Sequence, residues 1–218
     1  MTRRTRVKIC GITRSEDAIA AARSGADAVG LIFWDGTPRR VTPAQARSIA
    51  AALPPFVSVV GLFVDPSPDE VRAVLDVVPL DSLQFHGSEP VELCRSFGRP
   101  YIKAIAVAPG IDLLQCAVLY PDACALVFDA HQPGGMPGGT GTTFEWSSLP
   151  DALSRPVIVS GGLNPDNVGA AIAALRPWAV DVSSGVEKLD EHDRPQRGVK
   201  DPARIAQFMQ KVALADAR

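Results

Sequence analysis

With 218 residues, 46% of them hydrophobic, the chain can bury a large core and is not composed like a disordered segment. Its formal net charge of −2 provides no global field to attract nucleic acid, and no window approaches the ~20 apolar residues of a membrane span. Four cysteines (Cys10, Cys94, Cys116 and Cys124) and three histidines lie scattered without metal-ligand spacing. The expectation is a reduced, cytoplasmic protein that uses no metal or cofactor.

The basic run Thr2–Arg6 reads as a solvated tail and lacks the apolar stretch of a secretion signal. After it, short apolar runs alternate with helix-length amphipathic ones. The apolar runs are Val7–Cys10, Ala28–Phe33, Val57–Val64, Leu83–Phe85, Tyr101–Ile105, Leu126–Asp129, Val157–Ser160 and Val180–Val182. Their Val, Ile and Leu content suits strands buried on both faces. Several helices announce their starts by a capping residue followed by proline: Thr42-Pro43, Ser67-Pro68, Asn164-Pro165 and Asp201-Pro202. Gln45 and Glu70 complete capping boxes, and Thr13 with Glu16 forms another. Gly25 should end the first helix. Helical segments near Leu113–Leu119 and Glu145–Leu149 are weakly marked. Eight strand–helix units without a polar linker predict an α/β fold, a single-domain (β/α)8 TIM barrel over residues 1–218. The alternative, an open doubly wound sheet, lacks a G-x-G-x-x-G after the first strand.

In a barrel, chemistry sits at the C-terminal strand ends. Strand 1 brings Lys8 and Cys10 to one face, because side chains alternate. A lysine there would stabilise a thiolate, so Cys10 is either a reactive thiol or a small buried hydrophobe. Strand 4 puts Gln84 and His86 on one face, and strand 8 does the same for Asp181 and Ser183. Asp129 ends strand 6 after three apolar residues, as a functional acid or as a cap. Glycines mark the ends of strands 7 (Ser160-Gly161-Gly162) and 8 (Ser183-Ser184-Gly185), where barrels often bind phosphate through backbone N–H groups. Gly138-Gly139-Thr140-Gly141 could close the same pocket, and Ala130–Gly141 reads as a lid or as slack connection. Arg39, after strand 2, suits a carboxylate, whereas Arg40 and Asp190–Arg197 read as solvated surface. Phosphate, thiol and carboxylate together point to acid/base isomerisation of a small phosphorylated molecule.

At this point the chain closely resembles phosphoribosylanthranilate isomerase, over nearly its whole length. The resemblance rests on Val7–Thr13, Gly61–Val64, Leu83–Gly87, Gly138–Gly141, Ser160–Pro165 and Val180–Glu187. It implies an Amadori rearrangement in tryptophan biosynthesis, converting N-(5-phosphoribosyl)anthranilate to 1-(2-carboxyphenylamino)-1-deoxyribulose 5-phosphate. By position, Asp129 matches the general acid and Cys10 the general base. Arg39 matches the arginine that holds the anthranilate carboxylate, and Asp181 the residue on the sugar hydroxyls. Lys8, Gln84 and His86 fall in the substrate pocket. Gly139, Thr140, Gly141, Gly161, Gly162, Ser183, Ser184 and Gly185 match the phosphate grip. Thr142 stands where the family commonly has a lysine. The implied partner is a phosphoribosyl small molecule, with no nucleic acid or membrane, in a monomer or homodimer. The competing readings are a histidine-pathway barrel isomerase, which pairs two aspartates, an inert phosphate-binding barrel, and a thiol redox protein.

Overall fold

The computed structural model describes residues 4–107, 113–130 and 155–217. Eight parallel strands close a barrel in chain order: β1 (Arg6–Cys10), β2 (Ala28–Ile32), β3 (Ser58–Phe63), β4 (Ser82–Phe85), β5 (Tyr101–Val107), β6 (Ala125–Ala130), β7 (Val157–Val159) and β8 (Ala179–Val182). Helices α1 (Ser15–Arg23), α2 (Pro43–Ala51), α3 (Pro68–Leu75), α4 (Val91–Cys94), α5 (Leu113–Leu119), α6 (Val168–Leu175) and α7 (Pro202–Asp216) lie between or after the strands. The weakly marked fifth helix is present as α5, whereas Glu145–Leu149 lies outside the described residues.

Strand alternation separates two cores. Outward-facing Val7, Ile9, Leu83, Phe85, Leu126 and Phe128 pack under the helices. Inward-facing Val60, Ile102, Ala104, Ala125, Val127, Ile158 and Ala179 fill the barrel interior. Each fully buried aliphatic or phenyl side chain contributes roughly 1.5–3 kcal/mol, and Phe33 stacks on Phe63 at 5.2 Å. With its interior filled by apolar side chains, the barrel offers polar inward positions chiefly at the strand ends.

The proline-led caps hold at three of the four helices. Thr42 and Ser67 accept from the backbone N–H of Gln45 and Glu70 in complete capping boxes, and Asp201 accepts from Ala203 and Arg204. Gly25 follows α1 at φ +91°, a left-handed conformation that favours glycine, and donates to Ala22 O at 3.0 Å. Two expected caps are corrected. Thr13 is not the cap of α1: its hydroxyl donates to Gly198 O, and the helix starts after an extended Arg14 that grips Asp17. Asn164 builds a turn instead, its Oδ1 accepting from Asp166 and Asn167, and α6 begins only at Val168. Such a side chain offers the backbone a local alternative to helix.

Two solvated assignments are also corrected. Thr5 in the basic tail is 4% exposed and hydrogen-bonds both oxygens of Asp216 at the end of α7, while Arg6 lies 3.6 Å from the centroid of the Trp178 ring. Asp190–Arg197 is not simple loop. An antiparallel hairpin, β9 (Glu187–Leu189) and β10 (Pro195–Lys200), turns at Asp190, whose carboxylate caps the His192 and Arg194 N–H groups. Its tip is exposed, but its base carries the buried Glu187 and Lys200.

Candidate active site

The C-terminal rim gathers the expected side chains from distant parts of the chain. Cys10, Arg39, Gln84, His86, Asp129, Asp181 and Ser183 line one pocket. Each comes from a strand end or the loop beyond it; alternation aims the strand residues inward, while Arg39, in the loop after β2, is held by Glu187.

On one side of the mouth, β1 and β8 pair so that Lys8 is level with Asp181. Lys8 Nζ donates to Asp181 Oδ2 at 2.8 Å, with both side chains 5% exposed. Burial disfavours the Lys8 ammonium, but the Asp181 carboxylate and then Cys10 outweigh it and hold its pKa above the ordinary lysine value. Cys10 sits one step nearer the mouth, 5% exposed. Its register partner is Gly30, where an added Cβ would come within 2.7 Å of the sulfur. Burial pushes the Cys10 thiol up, Lys8 pulls it down, and the net shift is upward. The cation expected beside the thiol is therefore there, but it is committed first to Asp181 and does not make the resting thiol acidic.

Across the mouth, Asp129 is 3% exposed at the end of β6. Its Oδ2 lies 3.2 Å from His86 Nε2, and His86 Nδ1 lies 3.4 Å from Gln84 Nε2. Asp129 Oδ1, Asp181 Oδ1 and Gln84 Oε1 are buried with no hydrogen-bond partner among the described residues. Buried polar atoms are normally satisfied, so three orphans at one pocket mark a place built for a polar ligand.

Arg39 is 3% exposed, with Nε and Nη2 donating to the two oxygens of Glu187 at 2.7 and 2.8 Å. Arg40 is exposed and pairs with Asp35, the surface role expected of it. At the ends of β7 and β8, Gly161 and Gly162 take φ of +89° and +64°. Gly185 lies so close to the β7 loop that a Cβ would fall 1.9 Å from Leu163 O. Ser183 contributes its side chain to the pocket, and Ser184 opens a single 3-10 turn through Val186. Gly139, Thr140, Gly141 and Thr142 lie outside the described residues, as does most of the Ala130–Gly141 segment.

Sequence reasoning missed two supporting groups. Glu187 also accepts from Gly198 N–H at 2.8 Å and from Lys200 Nζ at 3.4 Å, and Lys200 Nζ donates to Ser183 O at 2.9 Å. Lys103 donates to Gly87 O at 2.6 Å and to Glu89 at 2.9 Å, while Glu89 accepts from Gly87 N–H, which clamps the loop beyond His86. The available signal was a lysine placed directly before the Asp201-Pro202 cap. The 148-residue separation of Arg39 and Glu187 hid their pairing.

Comparisons with known proteins point to one family. A family model for N-(5'-phosphoribosyl)anthranilate isomerase matches residues 7–211. The N-(5'-phosphoribosyl)anthranilate isomerase of Pseudomonas fluorescens is 54% identical, covering 95% of both chains. That of Nitrosococcus oceani is 53% identical, covering 96% of this chain and 98% of its own. The crystal structure of the Thermotoga maritima phosphoribosyl anthranilate isomerase superposes with a TM-score of 0.85 at 40% identity, covering 96% of this chain and 98% of that one. A further isomerase structure, in complex with reduced 1-(o-carboxyphenylamino)-1-deoxyribulose 5-phosphate, gives 0.79 at 38% identity, with the same coverage of both chains.

Proposed function

The chain belongs to the phosphoribosylanthranilate isomerase family, and from that membership we propose how its own residues divide the work of the rearrangement. It is an isomerase of tryptophan biosynthesis, acting on N-(5'-phosphoribosyl)anthranilate. Asp129 is the general acid. It delivers a proton to the furanose ring oxygen, the C1–O bond breaks, and a protonated Schiff base forms at C1. Cys10 is the general base. Its thiolate removes the C2 proton, the electron pair moves into the C1–C2 bond, and the resulting enolamine tautomerises to the C2 ketone. Asp129 ends as carboxylate and Cys10 as thiol, so one proton has passed through the pair and the substrate's composition is unchanged.

The observation that carries this reading is the buried, unpartnered Oδ1 of Asp129 in the pocket that also holds Cys10. The Gln84–His86–Asp129 chain sets where the acid's proton lies. With Gln84 Nε2 against Nδ1, His86 would carry its proton on Nε2 and face a carboxylate. With the amide turned, Gln84 Oε1 accepts from Nδ1–H and Nε2 accepts from the Asp129 O–H. An acid needs the second arrangement, which also satisfies the orphaned Gln84 oxygen. On the other side, the Schiff base is cationic and forms beside Cys10. That charge favours ionisation of the Cys10 thiol, whose pKa burial raises at rest and whose own proton leaves to solvent at the pocket mouth before the C2 proton is taken.

Arg39 takes the anthranilate carboxylate, with its far edge already fixed by Glu187. Asp181, oriented by Lys8, offers its free Oδ1 to a sugar hydroxyl. The phosphate is held by Gly161, Gly162, Ser183, Ser184 and Gly185, with Gly139, Thr140 and Gly141 completing the grip. Residues 1–218 act as one barrel domain, in the cytoplasm. Among the described residues no helix is long and apolar enough to cross a membrane. One solved Thermotoga relative is described as monomers generated from a dimeric isomerase, and this chain is taken as monomer or homodimer, a choice that light scattering decides.

The test is loss of substrate fluorescence on mixing purified protein with phosphoribosylanthranilate. Cys10→Ala and Asp129→Asn should each lower kcat by about two or more powers of ten, the usual size of an acid/base contribution. Near-normal turnover in either variant removes that residue's assignment. An inactive wild-type protein would remove the reaction itself.

A further inference from the structure

A buried positive charge is left over beneath the pocket. Lys8 is matched by Asp181, and Arg14 by Asp17. Arg39 and Lys200, however, share the single carboxylate of Glu187. The Arg39 side chain is 4% exposed, and those of Glu187 and Lys200 are fully buried. A buried charge without a counter-charge is costly unless something compensates it. Lys200 uses its donors on Ser183 O at 2.9 Å, Ser183 Oγ at 3.3 Å and Glu187 Oε1 at 3.4 Å. All three partners belong to the pocket wall or to the group gripping Arg39.

We propose that Glu187 and Lys200 are positioning residues for the substrate's carboxylate: Glu187 fixes one edge of the Arg39 guanidinium, and Lys200 restores the positive charge that Glu187 would otherwise cancel. A bare Arg39–Glu187 pair would present the carboxylate with a neutral unit. With Lys200 the trio carries one positive charge, and the missing anion is the ligand. This rests on the assignment of Arg39 to the anthranilate carboxylate and extends it to residues that touch no substrate.

The surroundings of Lys200 agree. Burial, opposed by Glu187 and reinforced by Arg39, brings its ammonium down to about 8. The ionisable groups facing it are Glu187 on β9, Arg39 after β2 and Cys10 on β1, while Asp17 on α1 accepts its backbone N–H at 2.9 Å. An anion arriving at Arg39 stabilises the charged lysine, so near pH 8 ligand binding takes up protons.

Steady-state kinetics of Lys200→Met, Arg39→Met and the double variant test the proposal. Arg39→Met should raise KM. Lys200→Met should raise KM about tenfold or more, with kcat within about threefold of wild type, and should add little in the Arg39→Met background. An unchanged KM in Arg39→Met overturns the carboxylate assignment itself. A raised KM there with an unaffected Lys200→Met overturns only the inference. Additive effects in the double variant, or a loss of melting temperature and kcat with unchanged KM, assign Lys200 to stability alone and also overturn it. If Lys200→Met does not fold, calorimetry of wild-type protein with anthranilate at pH 8, in two buffers of different ionisation enthalpy, decides the matter. Proton uptake supports the proposal, and its absence overturns it.

Discussion

Gly185→Ala isolates the contribution of loop geometry to phosphate binding. The new methyl would sit 1.9 Å from Leu163 O and 2.9 Å from Asn164 Cα, both backbone atoms that cannot rotate away. Real Cβ contacts essentially never fall below 3.0 Å, so one loop must move by about an ångström. Overpacking of this kind costs about 1–3 kcal/mol, or about 2–12 °C in melting temperature for a domain of this size. The functional loss should be larger in proportion. The displaced segments are those assigned to the phosphate, and a misplacement of about 1 Å can cost ~10²-fold. The assay is kcat/KM with phosphoribosylanthranilate, alongside inhibition by inorganic phosphate and a thermal melt. Phosphate inhibition should weaken together with kcat/KM. A variant with wild-type melting temperature and phosphate inhibition would show that the close approach of the two loops does not shape the site.

Two further perturbations address the Lys8–Cys10–Asp181 side. Lys8→Met strands the Asp181 carboxylate at 4% exposure, and breaking a buried pair in this way costs about 3–5 kcal/mol; urea unfolding reads it, and a loss below 1 kcal/mol would refute the desolvated-pair picture. Because burial raises the Cys10 thiol, its thiolate should appear only above the ordinary value of ~8.5. Alkylation of Cys10, resolved by peptide mass spectrometry so that Cys116 and Cys124 do not interfere, should accelerate only above that pH. Half-maximal reactivity below pH 7.5 would refute it. The sign for stability follows: the unfolded thiol loses its proton first, so this group's contribution is present below the unfolded value and falls as pH rises past it.

The barrel was legible because its strands are buried on both faces and read as short runs rich in Val, Ile and Leu. The site was legible because alternation carries Cys10 with Lys8, His86 with Gln84, and Ser183 with Asp181 to the same side. What stayed hidden has a different physical origin. Thr13 and Glu16 satisfy a local capping rule, yet the Thr13 hydroxyl finds Gly198 O, 185 residues away, and the local rule loses. Asn164 obeys its own rule a turn early. Glu187 and Lys200 sit in or beside a stretch whose charge suits solvent, and only the closed barrel brings Arg39 against them. Long-range polar pairing leaves no periodic trace in one sequence, whereas apolar burial does.

The same asymmetry bears on how the proposed acid and base are kept apart in one pocket. Asp181 and Asp129 are both nearly buried carboxyls at strand ends, so burial alone does not distinguish them. Their neighbours do. Asp181 accepts from the Lys8 ammonium at 2.8 Å. Asp129 meets the His86 imidazole at 3.2 Å instead. The cations Lys8, Arg39 and Lys200 gather on the β1–β2–β8 side with Cys10, while on the other side Lys103 is spent on Gly87 O and Glu89 and the pocket is lined by the Gln84 amide and the His86 imidazole. On the proposed roles, positive charge in the pocket is thus concentrated where the anion would be held and the thiolate formed.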